Sequence, residues 1–155
     1  MDWAFLGQLG IVLCFGMAAM GSALGIWAAG QSAAGAWARD ATAGKLIRFS
    51  YIIFVGAPIS QTFYSMIVMN KMSRLFQASA GNASQLAGLL LGIGIATGLG
   101  EMMSAWGQGV VGAAACRALS DSDGKGLAVL IIAIGIVETV GILTMVFMLG
   151  MVPSV

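Results

Sequence analysis

Histidine is missing from this chain, and charge of either sign is scarce: Lys and Arg number 7, Asp and Glu 6, together 8% of 155 residues. The missing imidazole excludes histidine metal sites and histidine-based acid–base chemistry. No phosphate-cradling loop and no nucleophile–base pair stands in the sequence, so any ATP hydrolysis must belong to other chains. A net charge of +1 offers nucleic acid no basic patch, and no nucleic-acid partner is expected. The two cysteines, Cys14 and Cys116, fall near opposite ends of their apolar stretches. A disulfide within one chain is therefore not expected, and both read as packing residues.

What is abundant is apolar sequence. At 59% hydrophobic the composition lies outside the range of water-soluble domains and defines an integral membrane protein. Removing the polar loops leaves four stretches, at about 5–38, 49–70, 83–116 and 127–150, each long enough to cross a ~30 Å hydrocarbon core as a helix. Met1-Asp2-Trp3 has no positive lead-in, and the apolar segment behind it is too long for a signal-peptide core, so it reads as a retained first helix.

The fourth stretch organises the rest. Leu127 to Gly150 is apolar throughout except for one acid, Glu138, near its middle. An acidic residue at mid-membrane costs roughly 2.5–3.5 kcal/mol on insertion scales, and such residues face protein or water and mark ion or proton paths.

Sliding the sequence against itself by 77 residues pairs Gly21 with Gly98, Gly30-Gln31 with Gly107-Gln108, Gly35-Ala36 with Gly112-Ala113, Thr62 with Thr139 and Gln61 with Glu138. The chain divides accordingly into two tandem helical hairpins of the same orientation, residues 1–77, which lack the ion-carrying carboxylate, and 78–155, which carry Glu138. The first and third stretches are rich in glycine, with Gly21/Gly25, Gly88/Gly92 and Gly94/Gly98 at the spacing that lets helix backbones approach. The second and fourth are bulkier. This contrast suits small helices crowded inside a ring of subunits and bulky helices outside, and it suits a four-helix bundle equally well.

Five cations, Arg39, Lys45, Arg48, Arg117 and Lys125, lie in or beside the loops joining stretches one to two and three to four, against Lys71 and Arg74 on the other side. The positive-inside rule puts the hairpin loops in the cytoplasm and both termini outside. Asp40, Asp121 and Asp123 make those loops mixed in charge and suited to contact with a soluble protein. Gln77 to Ser84 reads as a flexible outer linker.

Within the membrane, Gln108 precedes the second loop by about as much as Glu138 follows it, so an antiparallel hairpin sets the two at one depth. Gln31 and Gln61 stand in a similar relation, giving a polar layer of Gln31, Gln61, Gln108 and Glu138 flanked by Ser60, Thr62, Tyr64 and Thr139. Pro58 deprives the Phe54 carbonyl of its helical donor and can leave nearby carbonyls free to coordinate. One carboxylate, amide oxygens, a hydroxyl and a carbonyl form a hard-oxygen cage suited to a monovalent cation. Glu138, Gln108, Gln61 and Ser60 read as that site; Gln31, Thr62 and Thr139 read as groups that only hold helices together.

Pro58-Ile-Ser-Gln-Thr-Phe-Tyr64, Gly107-Gln108-Gly109 and Val137-Glu138-Thr139 resemble the rotor-ring proteolipid, known as the K or c proteolipid, of bacterial V-type rotary ATPases, in its sodium-transporting form. The resemblance covers essentially the whole chain. It implies an all-α homo-oligomeric ring in the cell inner membrane, turning against a stator subunit that carries an arginine, with a central-stalk subunit at loops 39–48 and 117–125. It implies Na⁺ as the transported ion and no organic cofactor, with ligands Glu138, Gln108, Gln61, Ser60 and the Ala57 carbonyl, and a hydrogen bond from Tyr64 to Glu138. The family often has Pro-Gly-Thr-Gln-Gly where this chain has Pro58-Ile59-Ser60-Gln61-Thr62, a departure that bears on packing of the second helix. Glu101 also departs from the pattern, two turns from Gln108 and deep in the membrane. It is expected to be protonated or to face a hydrated ring lumen, with a second ion site as the alternative.

Two other readings remain open. One is a ring that carries H⁺ in place of Na⁺. The other is a small multi-helix transporter of another class, which would also use Glu138, although Tyr64 and Phe63 are the only obvious aromatic residues near it for an organic cation. One acid per four helices leaves more ATP free energy per ion, at ~2.3 kcal/mol per 100 mV, which favours a pump over a synthase.

Overall fold

Glycine decides which helices touch. The computed structural model describes residues 3–79 and 81–154; Met1 and Asp2, on which the reading of the N-terminus rests, lie outside the described residues, as do Ala80 and Val155. The chain runs α1 (Ala4–Thr42), α2 (Tyr51–Gly56), a 3₁₀ turn (Ala57–Ile59), α3 (Ser60–Ala78), α4 (Ala83–Asp121) and α5 (Leu127–Met151). Because the 3₁₀ turn joins α2 directly to α3, Tyr51–Ala78 is a single apolar span, and four helices are long and apolar enough to cross a membrane. Every regular element among the described residues is helical.

The helices outrun the apolar stretches. α1 and α4 each have 39 residues, about 58 Å at ~1.5 Å per residue and far more than hydrocarbon requires. Polar residues such as Arg39, Asp40, Lys71, Arg74 and Arg117 continue the helices beyond the apolar runs. Hydropathy marks where lipid ends, not where the helix ends. For the same reason the expected flexible linker Gln77–Ser84 shrinks to the turn between α3, ending at Ala78, and α4, beginning at Ala83.

α1 and α4 lie parallel, backbone against backbone. A methyl group on Gly10 would collide with the Leu90 and Leu91 backbone, on Gly94 with Gly10, on Gly21 with Met102 and on Gly109 with Gly25; on Gly98 it would lie 2.8 Å from the Leu13 carbonyl. Higher up, Ser32 Oγ donates to the Ala113 carbonyl at 2.6 Å. Close approach of this kind replaces the hydrophobic drive that lipid does not supply. The bulky α5 packs on the outside, with only Ile134 and Gly141 buried. Gly16, Gly35, Gly88 and Gly92 meet nothing within 4 Å and lie on faces that the subunit itself leaves open.

Two apolar clusters fill the interior. One, toward the hairpin loops, includes Ala33, Tyr51, Phe54, Cys116, Leu119 and Ile134. The other, toward the α3–α4 turn, includes Cys14, Val68, Met72, Leu90 and Ile93. Cys14 and Cys116 are thus free thiols in separate clusters. Between the clusters the interior is polar: Ser22, Gln61, Ser65, Thr97, Glu101, Ser104 and Gln108 are all buried there.

The two hairpin loops meet at one end. Asp40, fully buried, accepts from Tyr51 Oη at 2.7 Å, Ser120 Oγ at 2.7 Å and Arg48 Nη1 at 3.0 Å. Arg48 also pairs with Asp123 of the second loop, and Arg39 pairs with Asp121. Gly124 sits at φ +87°, where a side chain would be strained and a Cβ would lie 2.8 Å from Arg48 Nε. Asp40 and Arg48 are therefore structural rather than open to a soluble partner as their loop position suggested; Asp121 and Asp123 remain exposed.

Candidate ion-binding site

Pro58 sets the local geometry. Its ring cannot donate to the Phe54 carbonyl, and the helix tightens into the 3₁₀ turn Ala57–Ile59. Hydroxyls answer the disturbed carbonyls: Ser22 Oγ of α1 donates to the Pro58 carbonyl at 2.6 Å, and Thr62 Oγ1 donates in turn to Ser22 Oγ at 2.8 Å. The Phe54 carbonyl faces Gly112 of α4, where an added Cβ would lie 3.0 Å away.

The first turn of α3 gathers oxygen. Ser60 Oγ lies 2.9 Å from the Ala57 carbonyl and 2.9 Å from Gln61 Oε1. Two acceptor oxygens thus stand beside a hydroxyl with one proton to give. Gln61 is fixed from its other end: Nε2 donates to Ser104 Oγ of α4 at 3.2 Å, and Ser104 Oγ donates to the Val137 carbonyl of α5 at 3.0 Å. One relay therefore ties α3, α4 and α5 together at the residue before Glu138.

Glu138 itself is only partly buried in the single subunit. Tyr64, one turn beyond Ser60 and Gln61 on α3, donates its hydroxyl to Glu138 Oε1 at 2.9 Å. Gln108 is fully buried, and neither Oε1 nor Nε2 has a hydrogen-bond partner among the described residues. Its neighbour Gly107 faces Val137, 3.1 Å from where a Cβ would be to Val137 Cγ1, so Gln108 and Glu138 do share one depth.

The structure thus joins Ser60, Gln61 and the Ala57 carbonyl in one group and Tyr64 with Glu138 in another, with Ser104 linking Gln61 to the residue before Glu138; Gln108 is buried one turn from Ser104 and bonds to none of them. Two expectations change. Gln31 is exposed on α1 and does not join the layer, because its helix turns Ala29 and Ala33 inward toward α4 instead. Glu101 does not look into a lumen: it is fully buried inside the subunit, beside Gly141, Gln61 and Ser104. Sequence reading missed Ser104 and Ser22. Ser104 was findable, since it stands three residues after Glu101 and four before Gln108 on one face of a helix. Ser22 carried no comparable signal.

Four helices long and apolar enough to cross a membrane, with a partly buried carboxylate on the fourth, define an integral membrane protein of the all-helical class. The particular family follows from comparison: the pattern of the ATP synthase C subunit matches residues 9–70 and again residues 91–151, and the chain belongs to that family. Its members are the hairpin-built, ion-translocating proteins that assemble into the oligomeric rotor ring of ATP synthase-type complexes. No curated protein matches the chain.

Proposed function

We propose that this chain is the sodium-carrying rotor subunit of a V-type ATPase, a product of duplication whose halves, 1–77 and 78–155, retain one working carboxylate. The observation that carries the reading is the oxygen cluster of Ser60, Ala57 and Gln61 beside the Tyr64-bound Glu138. A ring that carried only protons would need the carboxyl of Glu138 but not a set of neutral oxygens beside it. Glu138, Gln108 Oε1, Gln61 Oε1, Ser60 Oγ and the Ala57 carbonyl supply hard-oxygen ligands with a single negative charge, which suits a monovalent ion. Tyr64 holds Glu138 in place while the ion comes and goes.

With the ion bound, the site is neutral and passes lipid at little cost. Emptied, it presents an unpaired carboxylate to a low-dielectric medium, which opposes rotation until a stator arginine meets it. Rotation and ion transfer are thereby coupled. The excess of cations in the hairpin loops supports a cytoplasmic position for loops 39–48 and 117–125 and an outer position for the termini, in the cell inner membrane. There the exposed Arg39, Asp121 and Asp123, rather than the buried Asp40, would meet the central stalk. One transported ion per four helices supports work as an ATP-driven pump.

The test is the rate at which a hydrophobic carbodiimide modifies Glu138, with and without Na⁺, across pH. Protection by millimolar or lower Na⁺ is expected. Protection that depends on raised pH alone would make Glu138 a proton carrier and return Gln61, Gln108 and Ser60 to structural roles.

A further inference from the structure

The carboxylate of Glu101 is not among the groups assigned to the Glu138 site. It belongs to a stripe on α4 formed by Thr97, Glu101, Ser104 and Gln108, at spacings of four, three and four, which places all four on one helix face. Thr97, Glu101 and Gln108 are 0% exposed and Ser104 2%. Neither Glu101 oxygen has a hydrogen-bond partner among the described residues. Oε2 nevertheless lies close to polar groups. A Cβ on Gly141 of α5 would lie 2.7 Å from Glu101 Oε2, 3.1 Å from Gln61 Nε2 and 3.1 Å from Ser104 Oγ. Glycine at 141 therefore keeps open the point on which those three atoms converge.

A buried carboxylate is tolerated when it is paired with a cation or fully hydrogen-bonded, and the described residues supply Glu101 with neither. Lys71, the cation toward the α3–α4 turn on the neighbouring α3, is spent on the Leu149 carbonyl at 3.0 Å. The hard oxygens on offer are two from the carboxylate and the hydroxyl of Ser104, with one negative charge among them, and the Gln61 amide beside them has already given Nε2 to Ser104 Oγ. We propose that Glu101 and Ser104, with Gly141 keeping the space open, form a second monovalent-cation site enclosed within each subunit. Sodium as its occupant rests on the reading of the Glu138 site. Glu138 is partly exposed at the subunit surface, whereas Glu101 is sealed inside. The second ion therefore stays with the subunit as the ring turns, and the number transported per subunit remains one.

Equilibrium binding of radioactive sodium to intact, detergent-purified rings tests this. Wild-type rings are expected to hold two ions per subunit, Glu101→Gln and Glu138→Gln one each, and the double variant none. Gly141→Ala, which fills the point of convergence, should lose the same ion as Glu101→Gln. If Glu101→Gln does not assemble, Glu138→Gln alone decides: one ion retained supports the site and none overturns it. A single ion in the wild type, unchanged by Glu101→Gln, overturns the second site and leaves the Glu138 reading standing. A single ion that survives Glu138→Gln and disappears in Glu101→Gln does the reverse. Wild-type rings that bind no sodium overturn both.

Discussion

Two buried polar clusters in this subunit are built to opposite rules. At the hairpin-loop end Asp40 is surrounded by donors: Tyr51, Ser120 and Arg48 all reach it, and Arg48 is itself shared with Asp123. At mid-membrane the amide of Gln108 and the carboxylate of Glu101 are as deeply buried, and neither finds a partner among the described residues. A closed cluster stabilises because every polar atom taken from water is answered; an open one costs free energy that a ligand can recover. The difference separates a fastening from a site. It also shows why burial alone identifies neither.

Breaking the closed cluster should have the largest effect on stability and the least on ion binding. Asp40→Ala leaves Arg48, Tyr51 and Ser120 without their common acceptor and frees the two loops from each other. Rings of this variant are expected to unfold at clearly lower temperature, followed by circular dichroism, while sodium affinity measured on surviving rings stays at the wild-type value. A fall in affinity matching the fall in stability would erase the distinction between the clusters.

The open layer should respond in the opposite sense. Gln108→Leu removes a buried amide that none of the described residues satisfies, at similar volume, so the ion-free ring should be as stable as wild type or more so. Sodium affinity should fall by about tenfold or more, since a hydrogen bond or ligand contact to a charged group is worth roughly 1.5–3 kcal/mol. Calorimetric titration of the purified ring reads the affinity. An ion-free ring that is strongly destabilised would mean that Gln108 is structural.

Tyr64→Phe removes the donor that Glu138 Oε1 has among the described residues. A loss of about tenfold in sodium affinity is expected, with faster carbodiimide modification of Glu138, because the carboxylate is no longer held. The smallest effect should come from Asp121→Ala, which breaks only the exposed pair with Arg39. Such a pair is worth about 0–1 kcal/mol, so stability should barely move. Weaker binding of the ring to its stalk complex, measured by pull-down, would then reflect lost contact and not unfolding.

Much of the architecture was legible because membranes impose one-dimensional rules. Run length gave four spans, a 77-residue offset brought out the duplicated glycines, and glycine spacing picked out α1 and α4 as the helices that approach. Glu138 stood out because a lone acid in an apolar run has no bland explanation of equal weight. Pro58 announced a disturbed helix, although not which hydroxyls would answer its carbonyls. Helix ends were misjudged, since Arg39 and Lys71 lengthen helices without lengthening the apolar run.

The sequence by itself determined the class of protein, the spans and the one acid that stands in the fourth span, because hydropathy and repeat are properties of the chain read along its length. Only the tertiary structure decided which polar residues meet. Gln31 and Gln61 occupy matching places around their loop, yet one is exposed and the other fully buried. Asp40 looks like a surface charge and is the centre of a sealed cluster. Glu101 shares its pocket with Gln61 and Gly141, which come from other helices. A helix sequence fixes which residues share a face, but the rotation of that face toward lipid or toward a neighbour is set by packing of α1 on α4.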